Sequence, residues 1–451
     1  MLSAGELRPP ETVRAAVPSV LVDYRWPDLF VPVRQRRLRT FLLAGLAILM
    51  PISRVFEVVG KTVNCAVADA LLPLGVLLLV WRTGQSRVRA PLAALCCLSL
   101  ATVFLSSLLN LELTLSNRGP AGLTIEFVKV AFLWLYFYIV VNSVDSRRDF
   151  LVLLAAWMVG SAITAGFGIY GSLSYQLTGV LNPFARMFRA QGTFEDSNLY
   201  AIHLSLSFLL ALLYRRLSPR PARWILPVIL VQLAGVFFSA SRGATLALLL
   251  CLGLLCVLCA SWRAKLAAAG AVLGLALLVA AIPNKQALLE SNPLTARLGT
   301  TTVDLDNPEA AQRKALWDEA IREFLLSPLF GVGRGDYGLL QPGEPTPTRE
   351  AHNTYLELLC DSGLIGFTIF ALVFSRYPLR LIRDWRRLNG RSPRTGTGIL
   401  LTGMIMIGLD AITINLETYR GLWMLMAIAE GYTRLYTPGT AFETQPAGGV
   451  V

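Results

Sequence analysis

Long apolar runs, each close to the length that crosses a bilayer, occupy most of this chain. Hydrophobic residues make up 54% and charged residues 16% of its 451 residues. The apolar residues form continuous stretches rather than an amphipathic pattern, which is typical of membrane-spanning segments. In lipid such segments satisfy their backbone polar groups as helices. We therefore predict an all-α polytopic membrane protein.

The runs predict about twelve transmembrane helices, each near the ~20 residues needed to span a bilayer. The predicted spans cover residues 41–53, 64–81, 91–110, 121–142, 150–172, 198–214, 222–238, 244–261, 266–282, 356–374, 397–415 and 419–436. The predicted organisation is an N-terminal segment, nine spans, one long loop that is partly helical, three spans and a tail, at residues 1–40, 41–282, 283–355, 356–436 and 437–451.

Arginine clusters on alternate connections indicate the orientation. They include R-R-L-S-P-R-P-A-R after the sixth span and R-Y-P-L-R-L-I-R-D-W-R-R after the tenth. Basic connections stay in the cytoplasm, so we predict that both termini are cytoplasmic and that the long loop faces outward. The formal net charge of +12 is then a consequence of topology, and we predict no nucleic-acid partner.

The sequence gives little support for a metal site. Six of the seven cysteines lie inside predicted spans without zinc-ligand spacing, and we expect buried thiols. Asp304-Leu305-Asp306 forms a D-x-D, a pattern that can hold a metal-bound nucleotide sugar. These acids immediately precede Asn307-Pro308, where carboxylates favour a helix N-terminus. We predict no metal.

The long loop contains a predicted amphipathic helix that begins at Asn307-Pro308. Its apolar face comprises Leu316, Trp317, Ala320, Ile321, Phe324 and Leu325. Arg313 shares this face, whereas Asp318 and Arg322 lie on the polar one. The helix therefore directs a guanidinium at the membrane domain, and snorkelling at the helix start is the alternative interpretation.

A glycine-rich turn and a second helix start follow in the loop. Gly331, Gly333 and Gly335 surround Arg334, but without a preceding strand they are weak evidence for phosphate binding. Next, Thr354 and Glu357 match a capping box that opens the tenth span.

One of the two histidines, His352, lies just outside this predicted helix start. A neutral imidazole there can act as a general base. The alternative interpretation is an interfacial histidine that bonds backbone groups. The other histidine, His203, lies inside the sixth span and is expected to be a hydrogen-bonded core residue.

Two other outward connections carry arginines. Arg186 and Arg189 precede an Asp196 or Ser197 cap that starts the sixth span, and Arg242 is the one charge between two apolar runs. Charges at bilayer depth are costly and are usually paired or functional.

Four further charges lie within predicted spans. Glu126 and Lys129 are three residues apart and are expected to neutralise each other. Asp69 and Asp410 have no partner in their own spans, and either can line the site or orient an arginine.

Three stretches resemble the O-antigen ligase and polymerase superfamily. They are S-A-S-R-G-A after the seventh span, R-K-A-L-W-D-E-A-I-R-E-F-L-L-S-P-L-F-G-V-G-R-G-D-Y in the loop, and A-H-N-T-Y-L-E-L-L-C-D-S-G-L-I-G-F at the tenth span. The resemblance implies a GT-C-like, inverting, metal-independent and cofactor-free glycosyltransferase of the bacterial inner membrane. The donor substrate that the resemblance implies is a glycan linked to undecaprenyl pyrophosphate. The implied active site faces the periplasm, and the enzyme is surrounded by membrane lipids.

Within this resemblance, His352 matches the loop histidine, Arg242 the arginine after the seventh span, and Arg313 the loop-helix arginine. Arg189 fits a less specific region before the sixth span. His352 is then the catalytic base, and the three arginines bind pyrophosphate. The possible secondary residues are Arg186, Arg334, Asn353, Tyr355 and Asp410.

Four functions remain open at this point. An O-antigen ligase uses a lipid A-core sugar as acceptor, whereas an O-antigen polymerase uses a second lipid-linked glycan. The presence of one sizeable outer loop favours the ligase. A protein O-glycan transferase shares the chemistry, and a non-enzymatic transporter is the alternative from another class. A transporter is expected to carry charge near the midplane, whereas the unusual residues here collect at the outer face.

Overall fold

The computed structural model describes most of the chain as helices. The described residues are 33–58, 61–83, 88–219, 223–259, 292–299, 308–333, 350–388 and 391–437. The following predictions lie outside them: most of the N-terminal segment, the ninth span, the C-terminal tail from residue 438, the D-x-D at 304–306 with the Asn307 cap, and Arg334 with Gly335.

Within the described residues the helices are α1 (Val33–Leu49), α2 (Leu72–Thr83), α3 (Ala93–Leu109), α4 (Leu111–Ser143), α5 (Arg147–Thr178), α6 (Ser197–Leu217), α7 (Ile225–Ser239), α8 (Arg242–Cys259), α9 (Pro293–Gly299), α10 (Pro308–Leu326), α11 (Thr354–Arg387), α12 (Arg391–Asp410) and α13 (Arg420–Tyr436). Five segments are long and apolar enough to cross a membrane, namely Thr124–Ser143, α5, α6, α8 and α11. These helices confirm the coarse prediction of a helical multi-pass membrane protein.

The region of the first two predicted spans departs from an all-α fold. Residues Ser53–Val58 (β1) and Lys61–Ala66 (β2) pair as an antiparallel hairpin between α1 and α2. The first helix therefore ends at Leu49, and the second begins only after the hairpin. Pro51 supplies no backbone N–H to continue α1, and the segment that follows is rich in β-branched residues.

One end of the helix bundle collects arginines around a single carboxylate. Asp145, between α4 and α5, accepts a hydrogen bond from Arg39 of α1 and bonds to Arg82 at 2.8 Å and to Arg89 at 2.6 Å. Nearby, Arg434 of α13 donates to the carbonyl of Val144. We call this the arginine-rich end; α6 also ends there with its basic last turn.

Helices α5, α6 and α13 meet in the buried core. His203 of α6 is fully buried, with Ser161 Oγ 2.9 Å from Nε2 and the Tyr419 hydroxyl 2.7 Å from Nδ1. Its ring stacks on Trp157 at a centroid distance of 5.4 Å. The expectation of a hydrogen-bonded core histidine is confirmed.

The embedded charges pair as follows. Lys129 Nζ lies 2.7 Å from Glu126 Oε1, as predicted. Asp69 receives a two-pronged contact from Arg420 at 2.9 and 2.6 Å, together with the Tyr136 hydroxyl at 2.6 Å. Asp69 thus orients an arginine, and it ties the segment after the hairpin to the start of α13.

Helix α11 is interrupted by the turn that follows α10. Gly363 adopts φ 62°, ψ −166°, which breaks the helical backbone. The residues of the turn replace the missing bonds: Val332 N–H donates to Cys360 O at 2.9 Å, and Leu364 N–H donates to Pro328 O at 2.8 Å. A Cβ at Gly363 would lie 2.4 Å from the Leu329 backbone. The loop helix and the tenth span are therefore locked together by backbone contacts.

Candidate active site

One cavity, at the end of the bundle opposite the arginine-rich end, brings together three predicted site residues. It is lined by Asn198, Ile202, Ser241, Arg242, Gly243, Ala244, Arg313, Asp410 and Thr413. Arg242, Arg313 and Asp410, which are distant in sequence, therefore share one space. Its volume is about 40 Å³, room for a few water molecules. A sugar-sized ligand would require the surrounding residues to move.

Two helix N-termini border the cavity. Asn198 lies in the first turn of α6, and Arg242 is the first residue of α8. Asp196 caps α6 by accepting from Asn198 N–H at 2.7 Å and from Leu199 N–H at 2.9 Å, as predicted. The N-terminal amides of a helix carry partial positive charge, so two such ends favour an anion between them.

Arg189 reaches the edge of this cavity through Asn198. Its Nη2 donates to Asn198 Oδ1 at 2.8 Å, and its Nε donates to Ser239 O at 3.0 Å. Ser241 Oγ also donates to Asn198 Oδ1, at 3.0 Å. Asn198 and Ser241 both line the cavity. Arg189 is therefore hydrogen-bonded to a residue of the cavity wall.

The loop helix α10 presents Arg313 to the cavity, in agreement with its predicted face. Leu316 and Ala320 of the same face are buried, and Asp318 is exposed. The predicted apolar face is wrong at its C-terminal end, because Ile321 and Leu325 are exposed.

The buried position near the end of α10 belongs to a carboxyl group, Glu323, which is 3% exposed. Its Oε2 has no hydrogen-bond partner among the described residues. Burial and, to a lesser extent, the neighbouring Glu319 raise the pKa of this carboxyl to about 7, against the opposing charge of Arg322. An uncharged Glu323 therefore fits the contact between α10 and α11 better than a charged one.

Asp410 ends α12 beside the two arginines of the cavity. It is 2% exposed, and neither carboxylate oxygen accepts a hydrogen bond from the described residues. A buried carboxylate without hydrogen bonds is costly unless nearby positive charge compensates it. Of the two embedded aspartates, Asp410 is thus the one that lies in the candidate site.

His352 has an exposed side chain on a firmly held backbone. Its φ is +50°, a left-handed conformation that is uncommon outside glycine. Ala351 N–H donates to Glu357 Oε2 at 2.8 Å, and Ala351 O accepts from Trp317 Nε1 of α10 at 3.1 Å. The residue before His352 is therefore held by both α11 and the loop helix.

The predicted capping box at the start of α11 is wrong. Asn353 is the N-cap, since its Oδ1 accepts from Tyr355 N–H at 3.0 Å and from Leu356 N–H at 3.2 Å. Thr354 Oγ1 bonds instead to the connection between α12 and α13. Side-chain bonding to a distant loop has replaced the local pattern, which spacing alone does not reveal.

Two secondary candidates hold the site rather than face the cavity. Asn353 is 7% exposed and occupied as the cap. The Tyr355 hydroxyl donates to Gly408 O of α12 at 2.8 Å. Tyr355 thus ties α11 to α12 two residues before Asp410, whereas the Asn353 side chain holds the start of α11.

Arg186 is not among the residues that line the cavity. Its backbone pairs with Arg189 in a two-residue antiparallel ladder, Ala185–Arg186 (β3) with Arg189–Ala190 (β4), and its side chain is exposed. Of the two arginines that lie three residues apart, Arg189 therefore bonds to the cavity wall, whereas Arg186 points to the surface.

A larger cavity, of about 500 Å³, lies at the opposite end of α6 and α8 and holds none of the predicted site residues. Its lining includes Arg215, Arg216, Cys256 and Cys259. We assign the site to the smaller cavity, because arginines from two helices and a buried carboxylate line it and a third arginine bonds to its wall.

Left-handed backbone marks the segments that carry the site. Among the described residues, the non-glycine positions with positive φ are Leu92, Met187, Ala240 and His352. Met187 precedes Arg189 by two residues, and Ala240 precedes Arg242 by two. Strained conformations persist where the surrounding structure over-determines them, and they cluster at functional sites.

Sequence reasoning missed the polar residues that connect the arginines. Asn198 accepts bonds from Arg189 and Ser241, and Asn415 accepts one from Asn353 N–H at 2.9 Å. A signal for Asn198 was available, since it follows a predicted cap in an otherwise apolar span. No local pattern indicates Asn415, because its partner is 62 residues away in sequence.

Among the described residues, no group of three or more His, Cys, Asp and Glu side chains is arranged to hold a metal ion. The arrangement supplies fixed positive charge at one place and an exposed imidazole on a rigid turn. Guanidinium groups bind phosphate in two-pronged geometry, and an imidazole can exchange a proton near neutral pH.

Comparison with known proteins supports the family that the sequence motifs suggested. No significant match was found among curated proteins. Residues 227–371 match the family described as O-antigen ligase. This stretch contains Arg242, Arg313 and His352, whereas Arg189 and Asp410 lie outside it. The match over residues 227–371 supports the resemblance to the O-antigen ligase family and covers about a third of the chain.

Proposed function

We propose that this protein is an O-antigen ligase, which transfers O-antigen polysaccharide from undecaprenyl pyrophosphate to a sugar hydroxyl of lipid A-core. The observation that carries the proposal is the cavity in which Arg242 and Arg313 meet at the N-termini of α6 and α8. Both arginines lie within the stretch that matches the O-antigen ligase family.

The arginines act on the leaving group. As the bond between the anomeric carbon and the pyrophosphate oxygen breaks, negative charge grows on the pyrophosphate. Fixed guanidinium groups stabilise that charge without a strong acid or a metal. Arg242 and Arg313 bind it directly, and Arg189 supports the same place through Asn198.

His352 acts on the acceptor. The acceptor hydroxyl attacks the anomeric carbon from the face opposite the pyrophosphate, which inverts the configuration, and its proton passes to the imidazole. General-base catalysis of this kind contributes about 10² to 10⁴-fold. An exposed ring on a held backbone suits an acceptor that arrives from solvent.

The orientation follows from the two ends of the bundle. Arginine clusters mark the cytoplasmic side of membrane proteins, so the arginine-rich end faces the cytoplasm of the bacterial inner membrane and the cavity faces the periplasm. Both substrates are lipid-linked, and they approach the cavity within the outer leaflet of that membrane.

A deletion strain tests the proposal at the level of the cell. We expect its lipopolysaccharide to lose all attached O-antigen while the lipid-linked polymer accumulates, as seen on a gel. A single-repeat band would instead indicate an O-antigen polymerase. An unchanged profile would exclude both functions.

Complementation tests the assigned base. Wild type should restore attached O-antigen, and His352→Ala should insert normally but restore none. His203→Gln serves as the matched control, because the other histidine lies in the core and can only affect folding. Normal lipopolysaccharide in the His352→Ala strain would refute the base assignment.

A further inference from the structure

The turn that carries His352 is unusual because an exposed side chain stands between two buried backbone neighbours. His352 is exposed, whereas Ala351 is 0% and Asn353 7% exposed. A left-handed, non-glycine conformation persists only where the surroundings hold it. The contacts on either side of His352 therefore determine where its ring stands.

The preceding peptide has two anchors. Glu357 of α11 accepts from Ala351 N–H, and Trp317 of α10 donates to Ala351 O. These contacts fix the backbone that enters His352. These two contacts do not fix the orientation of the next peptide group, which joins His352 to Asn353 and carries the N–H of Asn353.

Asn415 holds that following peptide. Its Oδ1 accepts from Asn353 N–H at 2.9 Å, and Asn415 is 9% exposed. The side chain of Asn353 is already occupied as the cap of α11, so it does not replace this bond. The orientation of the peptide after His352 thus depends on a side chain from the connection between α12 and α13.

The same connection is bound tightly to α11 through Thr354. Thr354 N–H donates to Ala411 O, its Oγ1 donates to Ile414 O, and Leu416 N–H donates to the same Oγ1, all at 2.8 Å. Ala411 directly follows Asp410 in the cavity. One short segment therefore connects the carboxylate of the site to the turn of His352.

We propose that Asn415 is a positioning residue that sets the orientation of His352 relative to the arginine cavity. This inference rests on the proposed function, since it needs His352 to act as the base. Asn415 does not touch substrate; it acts by fixing the peptide between His352 and Asn353. Misplacing a catalytic group by about 1 Å can reduce the rate about 100-fold.

The chain offers a clean spectroscopic test, because it contains two histidines. The full-length protein, purified through a tag without histidine and labelled at histidine ¹³Cε1, should give one resonance from His203 and one from His352. His352→Ala assigns them. The variants are Asn415→Leu, which removes the acceptor, and Asn415→Asp, which keeps it.

Asn142→Leu is the matched control. Asn142 is 2% exposed, and its Oδ1 accepts from the backbone N–H of Arg89 at 2.8 Å. The substitution Asn142→Leu therefore removes an equivalent hydrogen bond at the arginine-rich end. It should lower stability without moving the His352 resonance. Each variant is also assayed for transfer from a lipid-linked glycan to lipid A-core.

We expect Asn415→Leu to shift or broaden the His352 resonance, to leave that of His203 in place, and to reduce kcat about tenfold or more with KM changed less than about twofold. Asn415→Asp should retain kcat within about threefold. An unmoved His352 resonance in Asn415→Leu, or the same loss of kcat in Asn142→Leu, would overturn the inference.

The two proposals fail separately. If Asn415→Leu moves the resonance while His352→Ala transfers glycan normally, Asn415 anchors the turn but the base assignment of the proposed function is wrong. If His352→Ala is inactive and Asn415→Leu retains full kcat, the base stands and the positioning role is wrong.

Discussion

The two ends of the bundle use aspartate and arginine in opposite ways. At the arginine-rich end, Asp145 receives bonds from Arg39, Arg82 and Arg89. At the other end, Asp410 shares a cavity with two arginines but accepts no hydrogen bond from the described residues. Both carboxylate oxygens of Asp145 are hydrogen-bonded to guanidinium groups. The carboxylate oxygens of Asp410, in contrast, accept no hydrogen bond from the described residues, and Asp410 borders the small cavity.

Under the proposed function, this difference distinguishes charges that hold the fold from charges that serve the reaction. Burial raises the pKa of Asp145, but the hydrogen bond and charge of Arg82 and the charges of Arg89 and Arg39 outweigh it and lower the pKa to about 2. Ion pairs of this kind neutralise arginines at the arginine-rich end. The cavity instead keeps its groups on rigid helix ends, as electrostatic catalysis requires.

The largest effect is expected for the arginine that α10 contributes to the cavity. Arg313→Lys keeps the charge but loses the two-pronged geometry, and transfer should fall about 100-fold or more, as it does when a preorganised donor is removed from an active site. The measurement is the amount of attached O-antigen in a complemented deletion strain. Lys314→Gln, an exposed neighbour, is the control and should transfer normally. Transfer by Arg313→Lys equal to that of wild type would show that Arg313 is not required for the reaction.

A smaller loss is expected from the carboxylate of the cavity. Asp410→Asn keeps the shape but replaces the carboxyl group beside Arg242 and Arg313, and transfer should fall about tenfold as the guanidinium groups lose their orientation. The amount of folded protein, measured by gel filtration, should not change. If Asp410→Asn instead reduced the amount of folded protein and kept its activity per folded molecule, Asp410 would have the same structural role as Asp145.

The reverse pattern is expected at the arginine-rich end. Asp145→Asn should lower stability by about 2 kcal/mol, since a pKa lowered from 3.8 to about 2 corresponds to that free energy. Transfer per folded molecule should be retained. Because the pKa is depressed in the folded state, the stabilisation is present above pH 3.8 and is lost as the pH falls towards 2. A thermal unfolding curve of Asp145→Asn identical to that of wild type would contradict this account.

The smallest effect concerns the loop helix. A carboxyl whose pKa is raised holds its proton more tightly in the folded state, so the stabilisation by Glu323 is present below pH 4.5 and is lost as the pH rises through about 7. Glu323→Gln should therefore unfold a few degrees above wild type at pH 8 and close to it at pH 5. Asp318→Asn, which changes an exposed carboxylate of the same helix, is the control and should not stabilise. The same pH dependence in wild type and Glu323→Gln would exclude Glu323 as its source.

Several parts of the site could be predicted from the sequence because they rest on local rules. Hydropathy indicated the membrane helices, and helical spacing placed Arg313 on the inward face of α10. The cap at Asp196 and the pairing of Glu126 with Lys129 also follow from short-range geometry. Such signals depend on neighbours within about four residues.

The parts that sequence missed depend on long-range contacts. The hairpin at 53–66 replaces the predicted junction of two spans, and it is held partly through Asp69 and Arg420, which are 351 residues apart. Thr354 matched a capping box but bonds to Ile414 and Leu416 instead. In each case a tertiary partner overrides a local preference.

Transfer by the purified protein tests the central claim most directly. The full chain is reconstituted with an undecaprenyl pyrophosphate-linked glycan and lipid A-core, and the initial rates of Arg242→Lys and Arg215→Lys are compared with that of wild type. Arg242 lies in the small cavity and Arg215 in the larger one at the opposite end. We predict a loss of about 100-fold or more for Arg242→Lys and a rate close to wild type for Arg215→Lys. Equal rates for the two variants would contradict the assignment of the active site.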